Sequence, residues 1–486
     1  MQDSKFLIKS LIFLFFTFTL FSLILSSSPS SYAAYAAENR AATSPGLLTL
    51  DAYKTGKGLS LNAISLKTAL ELALKNYPGI MTSKYSYISS IYAKNQSLYL
   101  YYPQISAAAG LSKNSVMDVG GNAATSANGL LGNPAGNING INYSLNNYSG
   151  SINANYVLYS FGSRHYGYLG ARYQAKGAKA AYSVTINSAL YNVILNFASY
   201  FADKELMRAD IDNLRNDEAQ YKAASEFYKV GTGNLLDAET AKATMETARA
   251  AYMNSTYNAK IARLALLNSI GLSPAKKYRF VNTLKFKPFH NKLNMLIKKA
   301  LKFNPQLKQA VYAVKASKAS VREATSGYFP TLSAGFSYTG QNSSFPLNRN
   351  YSVGLSVSIP IFNGFLTQNK IEYSKAILNS NIWNKRLARN NLTYSISSDY
   401  YTISNQYLTV KALKSSANAA KLAYELALKS YTLGVGSMVQ LVTANAQYVS
   451  AETSYINAKF TYFYQKAKLY SDLGLMLEHY IKQKNT

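Results

Sequence analysis

The sequence predicts an α+β fold. Long coiled-coil helices form a barrel wall, continued by antiparallel strands of the kind that cross an outer membrane. Three observations predict it: an export signal with no later membrane helix, an internal duplication, and four short segments of strict apolar/polar alternation.

At 486 residues with 48% hydrophobic residues the chain has ample material for a folded core. Cysteine is absent, which excludes disulfides, thiolate metal sites, a cysteine nucleophile and a lipid-bearing N-terminal cysteine. Tyrosine occurs 42 times against a single tryptophan, Trp383. The formal charge is +29, but the lysines are scattered and form no basic arm. A solvated basic surface therefore accounts for the charge better than nucleic-acid binding.

Lys5 and Lys9 precede an apolar run from Leu11 to Leu25, then a Ser/Pro stretch and the small-residue site Ala34-Tyr35-Ala36. That order reads as a secretory signal peptide over 1–36, cleaved after Ala36. An N-terminal linker over 37–60 follows. No other stretch is apolar and long enough to be a membrane helix, so a membrane role has to use strands.

Ala73-Leu74-Lys75-Asn76-Tyr77-Pro78 recurs as Ala300-Leu301-Lys302-Phe303-Asn304-Pro305, 227 residues later, and Tyr102-Pro103 recurs as Phe329-Pro330. Beyond the strands the offset is 203: Tyr228, Gly231 and Gly233 fall on Tyr431, Gly434 and Gly436. The two repeats cover 61–275 and 291–475, with a linker over 276–290 and a C-terminal tail over 476–486. The difference in offset places an insertion in the first copy, read as a long Gly/Asn-rich loop from Val119 to Asn147.

Each repeat parses as helix, strand, strand, helix, helix. The first helix starts after the N-cap Ser65 and is expected to run to about Tyr102. The next is expected over 163–228 and the third over 235–270. The middle helix would be ~100 Å long and the outer two ~55 Å each. Val410, Leu413, Ala417, Ala420, Tyr424, Ala427 and Tyr431 alternate spacings of three and four, a coiled-coil seam.

Val353, Leu355, Val357 and Ile359 alternate with Ser352, Gly354, Ser356 and Ser358. Leu332, Ala334, Phe336 and Tyr338 do the same, as do Ile105, Ala107 and Ala109, and Ile152, Ala154, Tyr156 and Leu158. This suits barrel strands with apolar residues toward lipid. Four strands cannot close a barrel, and open edges are not tolerated in lipid, so several chains have to combine.

The pattern resembles the TolC family of outer-membrane efflux proteins. It is carried by Leu66-x-x-Ala69-Leu70-x-x-Ala73-Leu74 with Pro78, the helix ends at Pro103 and Pro330, and Ile359-Pro360-Ile361-Phe362-Asn363-Gly364. The paired sequences Tyr228-Lys229-Val230-Gly231 and Tyr431-Thr432-Leu433-Gly434 complete it. The resemblance implies a homotrimer whose 12-stranded barrel in outer-membrane lipid continues as a 12-helix periplasmic tunnel. It also implies a periplasmic adaptor protein and an inner-membrane pump or ABC transporter as partners. The expected function is passive exit from periplasm to exterior, in efflux or type I secretion.

By the same resemblance, Tyr228, Val230, Gly231, Thr232, Gly233, Tyr431, Leu433, Gly434, Val435 and Gly436 lie at the periplasmic tip, where an adaptor docks. The constriction falls at Asp237, Gln440 and Thr443. Relatives carry two aspartates at the last two places and an arginine where this chain has Gly436, so an acidic constriction is not expected here.

No cofactor, metal or enzyme activity is expected: His165, His290 and His479 share no ligand spacing, and Gly231-Thr232-Gly233 lacks the Lys-Ser/Thr of a phosphate loop. A secreted coiled-coil adhesin would explain the signal and heptads but not the repeated strand pairs. A general porin would need many more strands.

Overall fold

A computed structural model describes residues 63–116, 143–276 and 278–481. The expected signal peptide, the 37–60 linker, residues 119–142 of the expected loop and residues 482–486 of the expected tail lie outside the described residues.

The first repeat consists of α1 (Leu66–Asn76), α2 (Pro78–Gln96), β1 (Gln104–Val116), β2 (Tyr143–Tyr159), α3 (Ser163–Lys229) and α4 (Leu235–Ile270). The second consists of α5 (Leu293–Phe303), α6 (Pro305–Thr325), β3 (Thr331–Asn342), β4 (Asn348–Ser358), α7 (Leu366–Thr432) and α8 (Met438–Leu473), followed by α9 (Met476–Tyr480). α3 and α7 each have 67 residues, α4 and α8 each have 36, and all four ends keep the 203-residue offset.

Two expectations are corrected. The first helix of each repeat is broken near its start, at Tyr77-Pro78 and Asn304-Pro305. Proline lacks the N–H for the helical ladder but is tolerated at a new helix's first position. Asn304 caps the new start, its Oδ1 accepting from Leu307 N at 2.9 Å. The loop from Val119 to Asn147 is shorter than expected, because Tyr143 to Asn147 are already strand, paired with Ser112 to Val116. Their mixed Ser/Asn composition hides them, since ladder bonds are made by the backbone whatever the side chain.

The breaks serve packing. α4 ends at Gly271 (φ 76°), and a Cβ there would lie 2.7 Å from the Asn76 carbonyl oxygen. α8 ends at Gly474 (φ 72°), where a Cβ would meet Pro305 Cδ at 2.8 Å. In both repeats, then, the third helix abuts the break in the first, and two short helices stack end to end beside one long one. The helices next to the sheet pack side by side in the order α2, α3, α6, α7.

The main core lies at mid-height. Leu190, Ile194 and Phe197 of α3 are fully buried there with Leu70, Leu266 and Phe460. A strap over 278–292 closes this core: Phe280 meets Tyr200 with ring centroids 5.5 Å apart, and Phe286 stacks on Tyr407 at 5.1 Å. The Tyr462 hydroxyl donates to the Lys287 carbonyl at 2.6 Å. The strap also pairs with the entry to α1, Ile64 N donating to Arg279 O at 2.8 Å. The described part of the expected C-terminal tail, 476–481, belongs to this core: Met476 and Ile481 are buried, and His479 stacks on Tyr470 at 3.6 Å.

The strands form one antiparallel sheet in the order β1-β2-β3-β4. Ala107 pairs with Ile152, Ile152 with Tyr338, and Tyr338 with Tyr351, so one face carries the apolar set of all four strands. That face is bare: Val353 is 70% exposed and Leu355 73%. The other face is small and polar, with Ser337 Oγ donating to Asn153 Oδ1 at 2.8 Å. Among the described residues, β1 and β4 each have a free edge. No described helix is long and apolar enough to cross a membrane.

Candidate functional site at the helical tip

Far from the sheet, each long helix turns back through a short glycine-bearing link. α3 ends where Gly231 takes φ 79°, a left-handed value that favours glycine. The N–H groups of Thr232 and Gly233 both donate to the Phe227 carbonyl, at 3.0 and 2.9 Å. A Cβ on Gly233 would lie 2.9 Å from Phe227 Cβ, so the turn admits no side chain there. Asn234 then caps α4, accepting from Asp237 N at 2.7 Å.

The second link repeats the design. Gly434 takes φ 74°, Val435 and Gly436 donate to the Ser430 carbonyl at 3.0 and 2.9 Å, and a Gly436 Cβ would lie 2.9 Å from Ser430 Cβ. Ser437 caps α8 in a reciprocal box: Gln440 N donates to Ser437 Oγ and Ser437 N to Gln440 Oε1, both at 3.3 Å. Both links are hydrogen-bonded turns, tied to the helices they join.

Of the expected tip residues, Tyr228, Val230, Leu433 and Val435 present exposed apolar surface, with Val435 at 80%. Tyr431 does not. It is buried in a tip core with Tyr424, Met438 and Leu441, its ring 6.1 Å from Phe227. Burial, and then the nearby Asp237 charge, push its hydroxyl pKa up. Gln440 and Thr443 are exposed, and the Thr443 hydroxyl is spent on the Val439 carbonyl at 2.7 Å. Leu236 and Val439, each more than 70% exposed, extend the apolar rim and were not anticipated. They follow directly on the turns, within the first helical positions, where an apolar residue usually signals core.

Above the tip core lies a polar cluster that the sequence reading missed. Asp217 of α3 is buried at 2% exposure. Asn445 of α8 donates to Asp217 Oδ1 at 2.9 Å and to Asn213 Oδ1 at 3.1 Å, while Asn213 donates to Asp217 Oδ2 at 3.3 Å. Burial pushes the Asp217 carboxyl up to about 6, against the pull of the two amide donors. One turn on, Gln220 donates to the Tyr424 hydroxyl at 3.1 Å. The signal was present: Leu214, Asp217, Tyr221 and Ala224 keep the three-four spacing, placing a carboxylate on the seam. Among the described residues no group of His, Asp and Glu could hold a metal.

The architecture is shared with solved outer-membrane channels. CmeC of Campylobacter jejuni superposes with a TM-score of 0.73 at 16% identity, over 84% of this chain and 85% of that one. VceC of Vibrio cholerae gives 0.71 at 13% identity, over 84% and 96%. The open-state MtrE of Neisseria gonorrhoeae gives 0.70 at 18%, over 84% and 88%. No curated protein sequence matches the chain. The family described as "Outer membrane efflux protein" matches residues 72–272 and 296–475, one stretch in each structural repeat. With both repeats of helices and strands accounted for, the chain belongs to the outer membrane efflux protein family.

Proposed function

We propose that three copies of the chain close one passive exit duct from periplasm to exterior. Their sheets join edge to edge as a twelve-stranded barrel in the outer membrane, and their helices enclose a periplasmic tunnel. The carrying observation is a sheet with one bare apolar face and, among the described residues, two unpaired edges, an arrangement lipid tolerates only when closed. The tip rim around Val230, Leu236, Leu433 and Val435 suits docking of a periplasmic adaptor, with an inner-membrane pump or ABC transporter supplying cargo. Drug efflux and type I protein secretion are both compatible with such a duct. A secreted adhesin stalk offers no use for the bare sheet face.

Cross-linking the protein extracted in mild detergent tests the assembly. The ladder is expected to stop at three chains. A folded monomer as the dominant species would contradict the proposal.

A further inference from the structure

The basic residues, scattered along the sequence, are segregated along the molecule. In the membrane-proximal helical segments 78–96, 163–190, 305–325 and 366–392 there are 15 Lys/Arg and only two acids, Glu323 and Glu372. In the tip-side segments 203–229, 235–270, 393–432 and 438–473 the balance is 16 to 14. The excess charge therefore forms a collar just below the sheet.

Its face can be assigned. Arg172, Lys179, Ile186, Val193 and Tyr200 follow one another at seven-residue spacing and so share a stripe on a supercoiled helix. Ile186 and Val193 are buried in the mid-height core, and Tyr200 meets Phe280 of the strap. Straps on the inside would line and narrow a duct, so the duct reading puts the strap side on the outer wall. Arg172 and Lys179 are thereby placed on that outer wall, and both are exposed. Lys308, Lys315 and Arg322 form the matching row on α6. Tyr173 joins the two rows, with Lys176 and Lys315 each 5.8 Å from its ring. Arg322 stands over Tyr166 at 5.5 Å, and on α7 Arg386 stands over the exposed Trp383 at 5.2 Å. α3 and α6 are the central pair of the four membrane-proximal helices, so neighbouring copies meet α2 and α7 and leave this surface open.

We infer that the collar is a binding surface for a carboxylate-bearing glycan–peptide polymer, the chemistry of the cell wall a periplasmic tube has to pass through. The inference rests on the duct reading, which decides the outer face. Charge complementarity supplies the attraction, and cation-topped aromatic rings offer flat surfaces to sugars. Lipid headgroups fit less well. The rows run from Arg172 to Lys179 and from Lys308 to Arg322, the longer spanning ~21 Å of helix. A headgroup layer is only about 5–8 Å deep on each side of the hydrocarbon.

The test is co-sedimentation of the detergent-purified assembly with isolated cell-wall sacculi. One variant carries Arg172, Lys176, Lys179, Lys308, Lys315 and Arg322 all →Gln; a control loses as many tip-side cations (Lys222, Lys229, Lys242, Lys414, Lys421 and Lys429 →Gln). Sacculus binding is expected to fall by about tenfold or more in the collar variant only. It is also expected to vanish on sacculi whose carboxyls have been amidated. Equal loss in both variants, or no loss, overturns the inference. So does collar-dependent binding to phosphatidylglycerol vesicles without binding to sacculi. Planar-bilayer conductance separates the two readings: a conducting channel that ignores sacculi contradicts the collar alone, and an assembly that never conducts contradicts the duct.

Discussion

Asp217 is buried in the tip-side seam with its carboxyl held well above the ordinary range, so its removal is informative. Its folded pKa of about 6 lies above the ordinary carboxylate value of 3.8, so the native state holds the proton more tightly than the unfolded chain. Stability from this group is therefore full below about pH 4 and is lost as pH rises through 6. The Asp217→Asn substitution removes the charge and turns one accepting oxygen into a donor, which the Asn213 amide has to flip to meet. It is expected to raise stability at pH 8 by about 1–2 kcal/mol and to flatten the pH 4–6 slope. Thermal melts of both proteins across that range check it, and an unchanged slope would show that Asp217 is not the titrating group. The cluster was hard to read because a seam carboxylate looks like any surface acid until its partner is known. Asn445 lies 228 residues away.

Among the elements, the junction of sheet and helix depends on one side chain. The Arg164 guanidinium donates to the carbonyls of Leu100, Val157 and Leu158 at 3.1, 2.6 and 2.8 Å and lies 4.8 Å from the Tyr101 ring centroid. It satisfies carbonyls where β2 bulges between Val157 and Tyr159 and the ladder is irregular. The second repeat has Thr367 at the equivalent place, bonded to Asn363 instead. Arg164→Ala is expected to cost about 1–3 kcal/mol by leaving those carbonyls unpaired, whereas Thr367→Ala should cost less. Denaturation of the purified assembly measures both; equal losses would remove the special role of Arg164. Element positions were largely legible: α4 falls on the expected residues, and the seam appears with Val410, Ala417, Tyr424 and Tyr431 buried. Legibility failed at Tyr77-Pro78, where the pattern continues but the proline N–H is missing. It failed again at Tyr143 to Asn147, where backbone pairing outweighs composition.

For the whole molecule, the duplication and the alternation made the architecture readable, because a helix pair or a hairpin repeated in register has few alternatives. The collar was not readable, since charge segregation appears only once 227- and 203-residue offsets are folded onto one axis. The tip gives a further expectation at this scale. Gln440 and Thr443 are neutral, so the constriction assigned to them should lack the field that draws cations in acidic-ringed ducts. Reversal potentials under a salt gradient should show weak cation preference, rising in the Gln440→Asp, Thr443→Asp variant. Strong cation selectivity in the unmodified channel, unchanged in the variant, would remove both residues from the constriction.

The central claim is that the two free sheet edges pair between copies. Amide hydrogen exchange in Gln104–Val116 and Asn348–Ser358 of the detergent-purified protein addresses it directly. In an isolated sheet, alternate amides of β1 and β4 point outward with no partner and exchange within seconds. In a closed barrel every one is bonded. The account predicts that both edge strands are as slow to exchange as β2 and β3. Fast exchange at alternate positions of β1 and β4, with β2 and β3 protected, would contradict it.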